Sequence, residues 1–128
     1  MTDTELGPGR KDDEDKDRWD LLPWPAVREV VKVLTYGAKK YAPWNWKRGI
    51  KYSRLYAASH RHQYAFWNGE SIDKDSRCYH LACAICELLF LLTYELLGIY
   101  EEFDDRPCNH PQEMMGAMEQ EKISEDLG

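Results

Sequence analysis

Reactive side chains are concentrated in the segment from residue 60 to residue 87. Imidazole, carboxylate, guanidinium and thiol groups occur there together, and the set comprises His60, Arg61, His62, Glu70, Asp73, Asp75, His80, Cys83 and Glu87. Carboxylate oxygens favour Mg²⁺ or Mn²⁺, whereas imidazole and thiolate ligands shift the preference towards Mn²⁺, Co²⁺ or Zn²⁺. The segment therefore indicates a site for a divalent cation.

Two antiparallel helices joined by a short acidic turn would bring these groups together. Ser53 is a good N-cap for a helix over about 54–68, which Asn68-Gly69 closes. After the turn, Asp75 or Ser76 is expected to cap a longer helix. The pattern therefore predicts a helical hairpin with the reactive groups at its closed end.

Each of these groups also has a purely structural interpretation. Glu70 and Asp73 would favour the positive N-terminus of the longer helix without any metal. His80 would serve equally as a hydrogen-bonded core histidine. Glu87 lies two helical turns beyond His80, in an otherwise apolar run, and a buried carboxylate without a partner is costly. We expect Arg61 or a metal to be that partner.

A basic and aromatic loop precedes the hairpin. Basic residues interleaved with aromatic ones suit phosphates and a stacked base; the set comprises Lys39, Lys40, Tyr41, Asn45, Trp46, Lys47, Arg48, Lys51 and Arg54. Trp44 and Trp46 are candidates for base stacking, and the Asn45 amide for contacting a base edge. The alternative is a folded aromatic loop with a solvated basic rim. Neither of the common glycine-rich phosphate motifs occurs.

The remaining apolar pattern predicts an all-α protein, a small helical bundle built on the hairpin. A first helix begins after Pro23-Trp24-Pro25, where proline suits the first turn. The longer hairpin helix, which runs to about Leu97, is apolar most of the way round, so it must be buried on several sides. It is expected to be the central helix or to pack against a second subunit, and we expect a homo-oligomer, a dimer or a tetramer.

Charge divides the 128 residues into three parts. A charged lead-in at 1–18 and an acidic tail at 108–128 are expected to be mobile, although residues 111–126 could form a short helix. The segment 19–107 is expected to be the catalytic and nucleotide-binding domain. Residues 19–100 carry eleven basic and seven acidic side chains, an excess that suits an anionic ligand.

Cysteine usage and hydropathy indicate a cytoplasmic protein. Three of the four cysteines lie in one apolar segment, which is typical of reduced thiols rather than of a disulfide framework. Cys83 and Cys86 have CxxC spacing but lie within a helix without a second pair, which favours core thiols over zinc ligands. The chain contains no uninterrupted run of about 18 apolar residues, so no membrane-spanning helix is predicted.

The order of several short motifs resembles that of the phage dATP/dGTP diphosphohydrolase N-terminal domain family, which is related to the MazG-like all-α nucleotide pyrophosphohydrolases. The resemblance covers about residues 18–107, and the motifs are Gly37-Ala-Lys-Lys-Tyr41, Asn45-Trp46, Ser53, Arg61-His62, Trp67, Gly69-Glu70, Asp73, Ser76, His80-Leu-Ala82 and Asp104-Asp-Arg-Pro107. MazG-like enzymes carry paired E-x-x-E and E-x-x-D helices, whereas the corresponding helix here reads His80-x-x-Cys83.

The resemblance implies hydrolysis of a deoxynucleoside triphosphate to monophosphate and pyrophosphate with Mg²⁺ or Mn²⁺, and Co²⁺ or Zn²⁺ as alternatives. Together with the clustering it assigns roles as follows: His62, Glu70, Asp73 and His80 to the metal, Arg61 and Glu87 to catalysis, and Lys40, Tyr41, Asn45, Trp46 and Arg61 to the substrate. Two alternatives are a triphosphate-releasing hydrolase with a His/Asp metal site and a non-enzymatic phage helical module that binds nucleotide or a host protein. Direct nucleic-acid binding is not expected.

Overall fold

Three helices form the domain in the computed structural model, which describes residues 6–109. They are α1 (Trp24–Lys40), α2 (Tyr52–Trp67) and α3 (His80–Leu97). Short 3-10 turns lie at Trp19–Leu21, Asn45–Arg48, Glu101–Phe103 and Pro107–Asn109. Within the described range no strand forms, and Ile72 and Tyr79 make a single antiparallel bridge. The predicted all-α class and helical hairpin are confirmed, whereas the expected tail helix at 111–126 lies outside the described residues.

The first helix packs on the third through small aliphatic side chains. Pro25 stands in the first turn of α1, where its missing N–H removes no hydrogen bond. Val30 is buried against Ala82 and Cys86 of α3, with Leu34 packed alongside. α3 contacts both other helices, as a central helix must.

An aromatic cluster holds together the open end of the α2–α3 hairpin. Tyr94 of α3 is fully buried, and its ring lies 5.9 Å from that of Tyr52 and 4.3 Å from that of Tyr100. Its hydroxyl donates to the Trp46 carbonyl, and the Tyr100 hydroxyl donates to the Lys47 carbonyl at 2.8 Å. These bonds satisfy the buried tyrosine hydroxyls and tie the basic aromatic loop to the hairpin.

The second helix begins two residues earlier than predicted. α2 starts at Tyr52, so Ser53 lies in its first turn rather than at the N-cap. Both the N–H and the hydroxyl of Ser53 donate to the Asp105 carboxylate. The group that satisfies this helix end therefore comes from 52 residues further along the chain, where local sequence reasoning cannot find it.

The third helix begins later than predicted, because the acidic turn has its own structure. Asp75 and Ser76 were the expected caps, but α3 starts at His80 after Tyr79, without a side-chain cap. Arg77 adopts a left-handed conformation with φ +63°, which interrupts helical geometry. The Asp73 carboxylate is the capping group of this turn, and not of the helix.

Much of α3 is apolar and yet exposed. No membrane span was predicted, but by length and composition this helix is long and apolar enough to cross a membrane, and 33% of it is buried. A helix at the centre of a small bundle passes the same test, and α3 packs on both α1 and α2. None of the four cysteines forms a disulfide, as predicted, and Cys78, Cys83 and Cys86 are buried.

Candidate metal and phosphate site

Two histidines meet across the closed end of the hairpin. The Nδ1 atoms of His62, on α2, and His80, the first residue of α3, are 2.8 Å apart and share a hydrogen bond. One ligand atom from each histidine and one Asp73 carboxylate oxygen all lie within 4.8 Å of one another. Of the four predicted ligands, three therefore converge.

The turn between the helices fixes the Asp73 carboxylate. One of its oxygens accepts hydrogen bonds from the N–H of Ser76 at 2.9 Å and from its hydroxyl at 2.7 Å. The Asp73 backbone N–H donates to the Cys78 carbonyl, and the His80 N–H donates to the Ser71 carbonyl. Ser76 was not predicted as a site residue, although the Asp-x-x-Ser spacing is the signal that identifies it.

Electrostatics leave two ligand groups in their metal-binding forms at neutral pH. Burial lowers the pKa of His62, and the nearby His80 and Arg61 lower it further against the opposing charge of Asp73. Burial acts to raise the pKa of Asp73, but the bonds from Ser76 and the neighbouring imidazoles hold that pKa below its ordinary value. A neutral imidazole and an ionised carboxylate are the forms that bind cations.

The fourth predicted ligand, Glu70, lies at the edge of this group. Its Oε1 is 3.6 Å from His80 Nε2, which is beyond hydrogen-bond distance, and the Glu70 side chain is 45% exposed. His80 is 6% exposed, and its Nε2 is buried without a hydrogen-bond partner. A buried unsatisfied nitrogen is costly, so a small rotation of Glu70 towards His80 would be stabilising.

The three donors fit a cation of intermediate hardness. The Nδ1 atoms of His62 and His80 are 2.8 Å apart, so a cation held by both imidazoles would replace the hydrogen bond between them. Two imidazoles and one carboxylate are typical of Mn²⁺, Co²⁺, Fe²⁺ or Zn²⁺ sites, whereas Mg²⁺ prefers an all-oxygen set. The residues present therefore fit a borderline divalent cation better than they fit Mg²⁺.

Comparison with known proteins assigns the chain to a family. Residues 6–106 match the family model described as dATP/dGTP diphosphohydrolase, N-terminal. The chain belongs to this family. A dATP/dGTP diphosphohydrolase from Salmonella phage PMBT28 is 33% identical over 98 residues, which cover 77% of this chain and 33% of the phage protein. The chain thus spans about a third of that relative's length. No solved structure matches it significantly.

In this member of the dATP/dGTP diphosphohydrolase N-terminal family, a half-buried carboxylate lies further along α3. Glu87 lies seven residues beyond His80, which is about 10 Å along the helix axis. Burial raises the pKa of Glu87 to about 7, and the charge of Arg61 opposes the rise. Arg61 also lowers the pKa of His62. Arg61 therefore lies near both groups, although it forms no ion pair with Glu87 among the described residues.

Two predicted substrate residues, Lys40 and Tyr41, lie at the C-terminal end of α1. The pKa of Lys40 is raised chiefly by the hydrogen bond and charge of Tyr41, then by Tyr36, with a smaller contribution from Asp75. The Lys40 ammonium lies 5.3 Å from the centre of the Tyr41 ring, and both side chains are exposed. Lys40 and Tyr41 make no contact with His62, Asp73 or His80 among the described residues, and their part in the site remains a prediction.

The other two predicted substrate residues lie elsewhere. Trp46 is packed on Phe90 and Tyr94, with ring centroids at 6.0 and 6.4 Å. These α3 residues are ten and fourteen positions beyond His80, which is about 15 to 21 Å along the helix. Asn45 belongs to the same 3-10 turn. Both therefore lie by the open end of the hairpin, and Trp46 is part of the aromatic cluster.

Proposed function

We propose that this domain hydrolyses a deoxynucleoside triphosphate to the monophosphate and pyrophosphate, with a divalent cation held by His62, Asp73 and His80. The convergence of these three donors at the closed end of the hairpin carries the proposal. The name of the phage relative supports dATP and dGTP as the first substrates to test. The donor set supports Mn²⁺ or Co²⁺ ahead of Mg²⁺.

A bound cation would supply an activated water and would neutralise charge developing on the phosphates. Ser76 keeps the Asp73 carboxylate ionised and fixed in direction through two hydrogen bonds. The exposed ammonium of Lys40 and the guanidinium of Arg61 bind phosphate oxygens from the two sides of the site. These positive groups orient the triphosphate so that one phosphorus atom faces the cation group.

Glu87 is suited to take up a proton. A carboxylate with a pKa of about 7 can accept a proton from water and release it again near neutral pH. Its position along α3 lies beyond His80 on the same face, next to Arg61. Glu70, at the exposed edge, has its Oε1 3.6 Å from His80 Nε2, where a small rotation would let it accept a hydrogen bond from that nitrogen and so orient His80 for the cation.

One observation favours a second candidate, a hydrolase that releases inorganic triphosphate. The metal group is built from two histidines and an aspartate that are distant in sequence but adjacent in space. Such a set also suits attack of water on the phosphorus nearest the sugar with the 5′-oxygen of the deoxynucleoside as the leaving group, so that the water oxygen ends in the released triphosphate. The products distinguish the two reactions, because one yields pyrophosphate with a deoxynucleoside monophosphate and the other yields triphosphate with a deoxynucleoside.

The test is turnover of each deoxynucleoside triphosphate with Mn²⁺, Co²⁺ or Mg²⁺, followed by phosphorus NMR. We expect pyrophosphate from dATP or dGTP, and a loss of at least about 100-fold in kcat for Asp73→Asn. Asp20→Asn, at an exposed carboxylate in the Trp19–Leu21 turn, is the matched control and should keep wild-type activity. Lys40→Ala should raise KM more than it lowers kcat, since it removes a phosphate contact.

Three outcomes separate the hypotheses. Triphosphate as the product supports the second candidate. Nucleotide binding without turnover by any triphosphate supports a binding module rather than an enzyme. Unchanged turnover in Asp73→Asn would remove the proposed cation site from the reaction.

A further inference from the structure

A row of exposed rings runs along the face of α2 that is turned away from α3. At 100° per residue these rings fall within a sector about 80° wide. We call them the α2 ring row, and its members are Tyr56, His60, Tyr64 and Trp67. The two tyrosines and the tryptophan are 59%, 72% and 83% exposed, and His60 is exposed beside the Tyr56 ring. Their exposed surface is about 500 Å², near the upper end of the largest apolar patch on a typical monomer, which marks the row as a contact surface.

The helix that carries the ring row has only positive formal charges. α2 contains Arg54 and Arg61, both exposed, and it contains no aspartate or glutamate. These two arginines are two helical turns apart, so they lie about 10 Å from one another along one flank of the row. A second copy of the same face would bring like charges together. An acidic segment with apolar side chains would complement both the arginines and the rings.

The described part of the chain ends beside the start of this row. Ser53 lies in the first turn of α2, within the sector of the ring row, and both its N–H and its hydroxyl donate to Asp105. Arg106 lies over the ring of the first residue of α2, 5.7 Å from its centre, and the last described turn follows at Pro107–Asn109. Segment 110–128 therefore begins next to the ring row. A segment tethered in this way acts at an effective concentration on the order of millimolar.

The side chains of segment 110–128 match those of the ring row. The segment carries five acidic residues and one basic residue. It also contains three of the four methionines of the chain, Met114, Met115 and Met118, which would share a sector about 100° wide on a helix. Methionine sulfur makes favourable contacts with aromatic rings. Met114 and Met118 would be about 6 Å apart on a helix, which is the spacing of the rings at positions 56, 60 and 64.

We propose that segment 110–128 of this chain docks on the α2 ring row, with its methionines against the rings and its carboxylates beside Arg54 and Arg61. A helix as short as this segment allows is marginal alone, so contact with α2 stabilises it. The positive charge of α2 would suit single-stranded nucleic acid too, but segment 110–128 starts beside the row and is tethered to it. The inference does not depend on the proposed hydrolysis.

NMR of isotope-labelled methionine methyl groups measures this contact in the full chain. The methyl protons of Met114, Met115 and Met118 should be shifted upfield, because they lie over ring faces, and should show nuclear Overhauser effects to ring protons. Tyr64→Ala should remove the upfield shift of at least one of them. Trp19→Ala, at a 69% exposed ring before α1, is the matched control and should leave the shifts unchanged.

Charge reversal provides a second variant. Arg54→Glu replaces an attraction by a repulsion and should weaken docking about fivefold, which moves the methyl shifts towards those of the isolated 110–128 peptide. Arg54 and Tyr64 are both exposed, so the domain should stay folded in either variant.

Four results would overturn the proposal. The first is wild-type methyl shifts equal to those of the isolated peptide. The second is a set of shifts that neither Tyr64→Ala nor Arg54→Glu alters, which would place the segment elsewhere. The third is a loss of the shifts on dilution, which would indicate docking on a second copy instead. The fourth is binding of oligothymidylate that depends on Tyr64 while the methionine methyl groups are free, which would make the row a platform for single-stranded nucleic acid.

Discussion

Replacing Glu87 with glutamine should stabilise the protein, and increasingly so as the pH rises. Burial raises the pKa of this carboxyl group from 4.5 to about 7. That difference corresponds to about 3 kcal/mol at 1.36 kcal/mol per pH unit, and screening by solvent at this half-buried position reduces it to about 2 kcal/mol. The neutral amide of Glu87→Gln fills the same space without the cost of burying a charge.

The direction of the pH effect follows from proton binding. Below about pH 4.5 Glu87 is protonated in both the folded and the unfolded chain. Between 4.5 and 7 the folded chain keeps a proton that the unfolded chain has lost, so the free energy of unfolding falls as the pH rises. Above pH 7 the loss is complete. Glutamine does not titrate, and therefore the variant escapes this loss.

Urea denaturation at about pH 5 and about pH 8.5 measures the effect. The stability advantage of Glu87→Gln over the wild type should grow by about 1.5 kcal/mol between these conditions. Glu102→Gln, at an exposed glutamate, should give the same difference from the wild type at both. If Glu87→Gln instead becomes the less stable protein at high pH, pairing with Arg61 outweighs burial and the reasoning is wrong.

Four further substitutions test the local structure. Ser53→Ala removes the hydroxyl that donates to Asp105 at the start of α2, and it should lower the free energy of unfolding by about 1 kcal/mol in urea denaturation. Arg77→Gly relieves a left-handed residue at φ +63° and should raise the melting temperature, a gain of about 0.5–1 kcal/mol. Trp46→Ala should lower the free energy of unfolding by about 3–5 kcal/mol, because Trp46 packs in the aromatic cluster. Trp44 is 64% exposed, so Trp44→Ala should change the free energy of unfolding by no more than about 0.5 kcal/mol in the same denaturation assay. Equal losses at the two tryptophans would contradict the aromatic packing.

The hairpin could be predicted because its signals are local. Apolar periodicity, together with Asn68-Gly69, located the end of α2 to within one residue. The start of α3 could not be predicted, since Asp73 binds Ser76 within the turn and Arg77 takes a left-handed conformation. Sequence alone does not distinguish a carboxylate that caps a turn from one that caps the following helix.

The candidate site was partly predictable for a similar reason. The hairpin brings the end of α2, the acidic turn and the start of α3 together. The proximity of the ligand groups of His62, Asp73 and His80 could therefore be inferred from the sequence. Trp46 was expected near the substrate because it lies in a loop where basic residues are interleaved with aromatic ones. Its burial depends on Phe90 and Tyr94, more than forty residues away. The local sequence around Trp46 carries no signal for contacts with residues so distant along the chain.

Cation binding by the two histidines and Asp73 can be measured most directly by calorimetric titration of the full chain with Mn²⁺. The matched pair is His62→Ala, at the half-buried histidine facing His80, and His60→Ala, at the exposed histidine two positions away on α2. We predict one ion per chain for the wild type and for His60→Ala, and binding at least about 100-fold weaker for His62→Ala. Equal affinity of His62→Ala and His60→Ala would contradict the assignment of the hairpin site as the cation site.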